Sequence, residues 1–471
     1  MIKQNMLRFA IPFHIANYDK LQKEKFKSIE EKKIGWERAH IIQGENDLYD
    51  YITELAGEEE TSAIAHSWKL PKKKYDQELF VSEVSAKELF WKLSDMGLLI
   101  FNDELGIFWY EIDTSGIKEH DDFLDLAYAL KELSRSDNER NYSVFNLHFN
   151  GIDDPKYIDI KKDDTVVIQE IKDTKQGTIA VCKKKIGLYK DVLCKFIPFF
   201  DIDSFFSNRW KESGKTLYPD RAIAFSWIYE VVEKKEDYDA YDMAFHLGRT
   251  YKSTYEMSSN FKNEDFYVPF DDSLWYGSLE GCGNYTAPKQ EKEFFNSGYE
   301  GRLNTYYYIY LLCLGQYYSL LQLAHSVSVL PTNEDMYSSK NNILERMMDQ
   351  IHIFNLKNNY SQIGHLTQHN EFYEYLQNRL GINKMQEELE VELQALFEMI
   401  EKKKTIKQEK NNRVITIIGG IFVVLQAFIN VAAMYDSVIS KDWGYFAFAT
   451  AGSFVLVVLG IIIWLIGRIK K

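Results

Sequence analysis

The chain has 471 residues, 45% hydrophobic and 27% charged, with a formal net charge of −14. This is the composition of a folded protein with length for more than one domain, and its acidic balance argues against a long nucleic acid as partner. Four cysteines, Cys182, Cys194, Cys282 and Cys313, show no CxxC spacing, which speaks against a zinc site or a disulfide framework and fits a reducing compartment.

In chain order, the apolar N-terminal stretch is interrupted by Arg8, Pro12 and His14 and has no secretory core. Residues 7–15 read as a strand, and 98–112 as a hairpin of two apolar strands around Asn102, Asp103 and Glu104. Helical periodicity covers 85–93, 121–134 and 238–255. Strand-like runs cover 142–149, 165–171, 177–182 and 221–232. Strands mixed with helices over 1–272 predict an α/β or α+β cytosolic domain. A glycine-bearing loop is expected at 277–288. The helix 303–329 follows, rich in Tyr and Leu and ended by Pro331. Its scattered Tyr, Gln and His predict burial in protein rather than in lipid. From 341 the helical pattern continues almost without a breaker to the membrane, punctuated only at Gly364 and Gly381, so 273–413 reads as a helical region and stalk. Ile382, Met385, Leu389, Leu393, Leu396 and Ile400 form a packing seam of period about 3.5.

Two uncharged runs, 414–435 and 443–467, close the sequence. Each exceeds the ~20 residues a helix needs to cross the hydrocarbon core, which predicts a transmembrane hairpin. Lys402, Lys403, Lys404, Lys407, Lys410 and Arg413 precede it, and Arg468, Lys470 and Lys471 follow in the tail 468–471. The positive-inside rule then places both termini in the cytoplasm, in a multi-pass protein of the cell inner membrane. Thr416, Gly419, Val423, Gln426, Asn430, Ala433 and Ser437 recur at steps of three and four and share one face of the first run. The stripe reads as a pore lining contributed by several subunits, or as amide packing between helices. One hairpin cannot enclose a path, so a homo-oligomer is implied.

Motifs with chemistry are few. Asp164 with Glu170 and Lys172 has the look of a metal-dependent nuclease set, but also of an ordinary charged strand edge. His365 and His369 have helical zinc spacing without a third ligand. No nucleotide-binding fingerprint or nucleophile motif occurs, so no enzyme activity, cofactor or metal site is expected. Arg302, Tyr306 and Tyr310 share a helix face and offer a cationic, aromatic wall for a small nucleotide, with Arg221 and Arg249 as phosphate partners. The same spacing also describes a tyrosine-rich core helix.

The layout, a large cytosolic domain, a long helix entering the bilayer, two C-terminal spans and a basic tail, resembles the CorA family of divalent cation channels. In that family the first membrane helix lines the pore of a pentamer and closes with Gly-Met-Asn. Here that stretch is Met434, Tyr435, Asp436 and Ser437, a departure that puts Mg²⁺ transport in doubt. The oversized N-terminal domain, the Tyr-rich helix and the stalk at 365–382 are similar to divergent CorA-like membrane proteins of type III CRISPR systems. That resemblance implies an antiviral effector whose cytosolic domain binds a nucleotide second messenger, such as an adduct of S-adenosylmethionine and AMP, and then opens or perturbs the membrane. The alternative it leaves open is a divalent cation transporter with a diverged selectivity motif.

Overall fold

The computed structural model describes residues 1–15, 27–30, 35–39, 47–49, 52, 65–75, 78–101, 105–132, 141–150, 153–174, 177–197, 221–232, 239–258, 260, 263–296, 299–328, 347–348, 351–352, 354, 360–440 and 452. The chain divides into two compact units, one of Met1–Leu330 with Asp349–Leu389, the other of Pro331–Met348 with Glu390–Lys471.

Alternating apolar residues in the first unit build one mixed sheet. Its strands are β1 (Gln4–His14), β2 (Glu37–Arg38), β3 (Ala65–Lys69), β4 (Leu79–Val84), β5 (Lys87–Phe101), β6 (Leu105–Asp113), β7 (Asn141–Phe149), β8 (Val166–Thr174), β9 (Gly177–Lys185), β10 (Ile223–Tyr229), β11 (Tyr267–Phe270), β12 (Ser273–Gly277) and β13 (Gly281–Thr286). The order is β11-β12-β13-β10-β1-β6-β5-β4-β7-β9-β8, with β3 joined to β5 and β2 to β3. Among these pairings only β10 with β13 is parallel.

Period-two alternation sorts the side chains onto two faces. On one, Leu7, Phe9, Phe108, Tyr110 and Tyr276 enter the main core. Phe123 and Leu126 of helix α1 (His120–Lys131) and Met243 and Leu247 of a helix spanning Ala240–Arg249 join them there. On the other face Trp109, Phe225 and Trp275 meet Tyr307, Tyr310 and Tyr306 of the long helix Tyr299–Ser328. At the β8 end a small cluster of Phe149, Ala180 and Cys182 packs with Tyr157 and Ile160 of the short helix Pro155–Lys162. In chain order we label Pro155–Lys162 α2, Ala240–Arg249 α3 and Tyr299–Ser328 α4, followed by α5 (Thr367–Leu380) and α6 (Ile382–Ser440).

Most of the expected elements are present, including the hairpin strands up to Phe101 and from Leu105 and the buried helix α4. Three expectations fail. Residues 85–93 are not helical: Ser85 and Ala86, both at positive φ (49° and 62°), form the two-residue turn between β4 and β5. Leu89, Trp91 and Leu93 then alternate inward along β5. The glycine-bearing stretch after Gly277 is mostly strand, because Gly281 to Thr286 pair with β10 and Cys282 to Thr286 with β12. The helical run toward the membrane is interrupted around Gly364, one of its two expected punctuation points, and this break separates the two histidines expected on one helix face. Residues 360–366 are non-helical and Gly364 bridges Leu48. His365 therefore precedes α5 while His369 lies inside it, so the two do not share a helix. Among the described residues no group of His, Cys, Asp and Glu is arranged to hold a metal.

In the second unit, α6 carries the apolar run. The segment Gln408–Ala432 is long and apolar enough to cross a membrane, and its apolar stretch is not buried. Of the seam, Ile382 and Leu389, which belong to the first unit, and Leu393 of the second are buried. Within 411–432 all residues are exposed except Gln426 and Asn430, which are half-buried and one turn apart. Thr416 donates to Asn412 O at 2.8 Å, satisfying its hydroxyl within its own helix. The stretch expected as a second span, 443–467, lies outside the described residues apart from Gly452.

Candidate functional site

The sheet divides the five residues expected to bind a nucleotide. Tyr306 is 2% exposed, stacks on Trp275 at 4.8 Å and meets Phe372 and His369 edge-on. Tyr310 is fully buried against Phe225, and its hydroxyl has no hydrogen-bond partner among the described residues. Both belong to the packing of α4. Arg302 is half-buried at the start of that helix, with its guanidinium 4.2 Å from the centre of the Phe294 ring. Arg221 and Arg249 belong elsewhere. Arg221 pairs with Glu280 at 3.3 Å and bridges Glu132 at the end of α1. Arg249 closes α3 on the opposite face of the sheet, so the structure does not gather the five into one pocket.

Arg249 leads to a different cluster. Its Nη2 donates to the hydroxyl of buried Tyr276 and its Nη1 to that of Tyr251, both at a long 3.4 Å. Arg379, near the end of α5, donates to the same Tyr276 hydroxyl at 2.9 Å, to Gly277 O at 3.2 Å and to Asp265 at 2.8 Å. Two guanidinium groups thus converge on one phenol oxygen with the Asp265 carboxylate beside them. The rings of Phe245, Tyr251 and Tyr276 flank Arg249, and that of Tyr276 flanks Arg379. Both arginines are half-buried. Burial works against the charge of Arg249, but the Tyr276 and Tyr251 hydroxyls outweigh it and raise its pKa.

Close packing sets this geometry. A Cβ at Gly248 would lie 2.2 Å from Tyr276 O, and one at Gly283 2.4 Å from Gly248 N, so α3 rests directly on β12 and β13. Thr250 caps α3 in the left-handed conformation. Lys131 donates to Thr250 O at 2.8 Å, adding a cation at the helix C-terminus where the dipole favours one. Burial lowers the Lys131 pKa to about 8. From the other side, Tyr375 accepts from Gly277 N and donates to Asp265 O, which holds α5 along the β11–β12 edge.

Paired arginines with aromatic faces suit a phosphate joined to a stacking group, since a guanidinium binds oxyanions through two parallel donors and stacks on rings. Sequence reasoning named Arg249 as a phosphate partner for the Arg302 face and singled out none of Arg379, Tyr276 and Tyr251. Nothing in the spacing around Arg379 distinguishes it from an ordinary cation near a helix C-terminus. The nuclease-like set remains a solvated edge: Glu170 and Lys172 pair at 2.7 Å with both side chains more than half exposed. Comparison with protein-family models, with curated proteins and with solved structures finds no match for this chain.

Proposed function

We propose that this protein is a membrane-anchored sensor that binds a small anionic nucleotide at the Arg249–Tyr276–Arg379 cluster and passes the event to its apolar helix. The observation carrying this reading is the position of Arg379 in the chain. It lies two residues before Gly381, the left-handed residue that ends α5, and α6 starts at the next residue and contains the membrane-length segment. A ligand phosphate that draws Arg379 away from Asp265 would act on the residues leading into that helix.

In this reading 443–467 supplies a second span, both termini face the cytoplasm, and several copies assemble with Gln426 and Asn430 toward shared contacts. Ligand binding then opens or perturbs the bilayer, as the resemblance to CorA-like antiviral effectors would have it. Calorimetry of the full-length protein in mild detergent against AMP, ATP, cyclic AMP and S-adenosylmethionine tests the binding step. Arg379→Ala and Arg249→Ala should each weaken the binding nucleotide by about tenfold or more, the loss expected for one charge-assisted contact. No heat from any nucleotide, or wild-type affinity in both variants, would refute this site. Rescue of a Mg²⁺-auxotrophic host by the wild-type protein would favour a cation transporter instead.

A further inference from the structure

The helix that carries the apolar segment also carries a basic run. In a chain of net charge −14, residues 402–413 hold six cations, Lys402, Lys403, Lys404, Lys407, Lys410 and Arg413, against one acid, Glu409. The uncharged run 414–435 begins at the next residue, and α6 is unbroken across the junction. Positions on either side therefore keep one helical phase, about 100° per residue. One face runs from Glu401 through Thr405, Gln408 and Asn412, in steps of three and four, and continues through Thr416, Gly419 and Val423 to Gln426 and Asn430. No cation stands on that face. The six occupy the remaining arc of about 200°, roughly opposite Gln426 and Asn430.

Burial tells the two sides apart. Within 411–432 only Gln426 and Asn430 are half-buried, so the cation-free face is the one with neighbours. Lys402, Lys410 and Arg413 are exposed and form no ion pair among the described residues. Ile406, in the same arc, is 55% exposed. The basic arc thus continues the apolar surface that a bilayer would cover. Depth then grades the cations. At ~1.5 Å per residue, Lys407, Lys410 and Arg413 stand within about 11 Å of the first apolar residue, at or just below the level of headgroups. Lys402, Lys403 and Lys404 stand about 15–18 Å away, beyond the ~10 Å over which surface charge is felt at moderate salt. Lysine and arginine suit the nearer position, because their stems lie along apolar surface while the charged end stays among polar groups. So wide an arc matches a charged surface and not a ligand held in a pocket.

We propose that the basic arc of α6 binds the phosphates of anionic lipid headgroups, with Lys407, Lys410 and Arg413 in contact. The inference rests on the reading of α6 as a membrane helix and is independent of the arginine cluster. It is tested on the full-length protein in phosphatidylcholine vesicles by electron spin resonance, which separates free lipid from lipid held at the protein. Spin-labelled phosphatidylglycerol is compared there with spin-labelled phosphatidylcholine. Phosphatidylglycerol should associate about fivefold more strongly, the effect of roughly one basic side chain per lipid, and the preference should shrink in high salt. A variant carrying Lys407→Gln, Lys410→Gln and Arg413→Gln should lose most of the preference. One carrying Lys402→Gln, Lys403→Gln and Lys404→Gln should lose little. Equal association of both lipids with wild type, a preference kept in full by the first variant, or an equal or larger loss in the second would overturn the proposal and leave the membrane reading intact. No held lipid of either kind would overturn the membrane reading itself, and this proposal with it.

Discussion

At the residue scale, the hydroxyl of Tyr276 decides whether the candidate site holds its shape. It accepts from two guanidinium groups at once. Tyr276→Phe leaves both donors short of an acceptor, at a cost of about 1–2 kcal/mol for this half-buried pair. Thermal unfolding in detergent should record the loss, and an unchanged midpoint would show that Asp265 and Tyr251 hold the arginines alone. A second residue governs the acid side of stability. His369 is 1% exposed and stacks edge-on against Tyr306. Burial, with a small contribution from Arg302 and against the pull of Asp47, lowers its pKa from 6.5 to about 4. Between those values the unfolded chain takes up a proton that the folded chain refuses. This group's contribution is therefore full above pH ~6.5 and is lost progressively toward pH 4, at most about 3 kcal/mol. His369→Phe should flatten that part of the stability–pH curve, and an identical slope in the variant would place the acid transition elsewhere.

At the scale of elements, close approach and handedness make sharper demands than burial does. Each fully buried Leu or Ile of α4 contributes about 1.5–3 kcal/mol, a term spread over many residues. By contrast, one methyl at Gly248 would meet the Tyr276 carbonyl at 2.2 Å and push α3 off the sheet. Gly248→Ala should cost about 2–3 kcal/mol and displace Arg249. Gly381→Ala should cost only about 1 kcal/mol, since its Cβ meets nothing and the penalty comes from φ +70° alone. Similar losses in both variants, measured side by side, would contradict this distinction. The same contrast explains what the sequence disclosed. The 98–112 hairpin, the buried helix at 303–329 and the apolar run in α6 follow from hydrophobic patterning and were legible. The β4–β5 turn was not, because Ser85 and Ala86 adopt positive φ without the usual Gly or Asn. Part of their stabilisation comes from afar, as Ser85 donates to Asp125 of α1 at 2.5 Å. The candidate site was half legible: Arg249 stands out as a cation, but its meeting with Arg379 depends on long-range pairing of α5 with the β11–β12 edge, which no local signal carries.

At the scale of the whole molecule, an acidic chain concentrates two arginines around one phenol and places one of them just ahead of its membrane-length helix. A ligand shifts such a protein only by binding its two states unequally, and moving a ratio from 1:99 to 99:1 takes about 5.5 kcal/mol of difference. Several copies in one assembly would divide that requirement among their sites. Charge in the sheet domain and apolar surface in α6 should then separate cleanly under mutation. Asn430→Leu should alter membrane activity and spare nucleotide affinity, whereas Arg379→Ala should do the reverse at first order. The most direct measurement is ion flux from lipid vesicles carrying the full-length protein, recorded while the nucleotide that binds in calorimetry is added to the side exposing the sheet domain. The account predicts vesicles that stay sealed until the nucleotide arrives and then leak, with Arg379→Ala needing about tenfold more ligand for the same flux. Flux that is constant with and without nucleotide, or equally ligand-sensitive in wild type and Arg379→Ala, would contradict it.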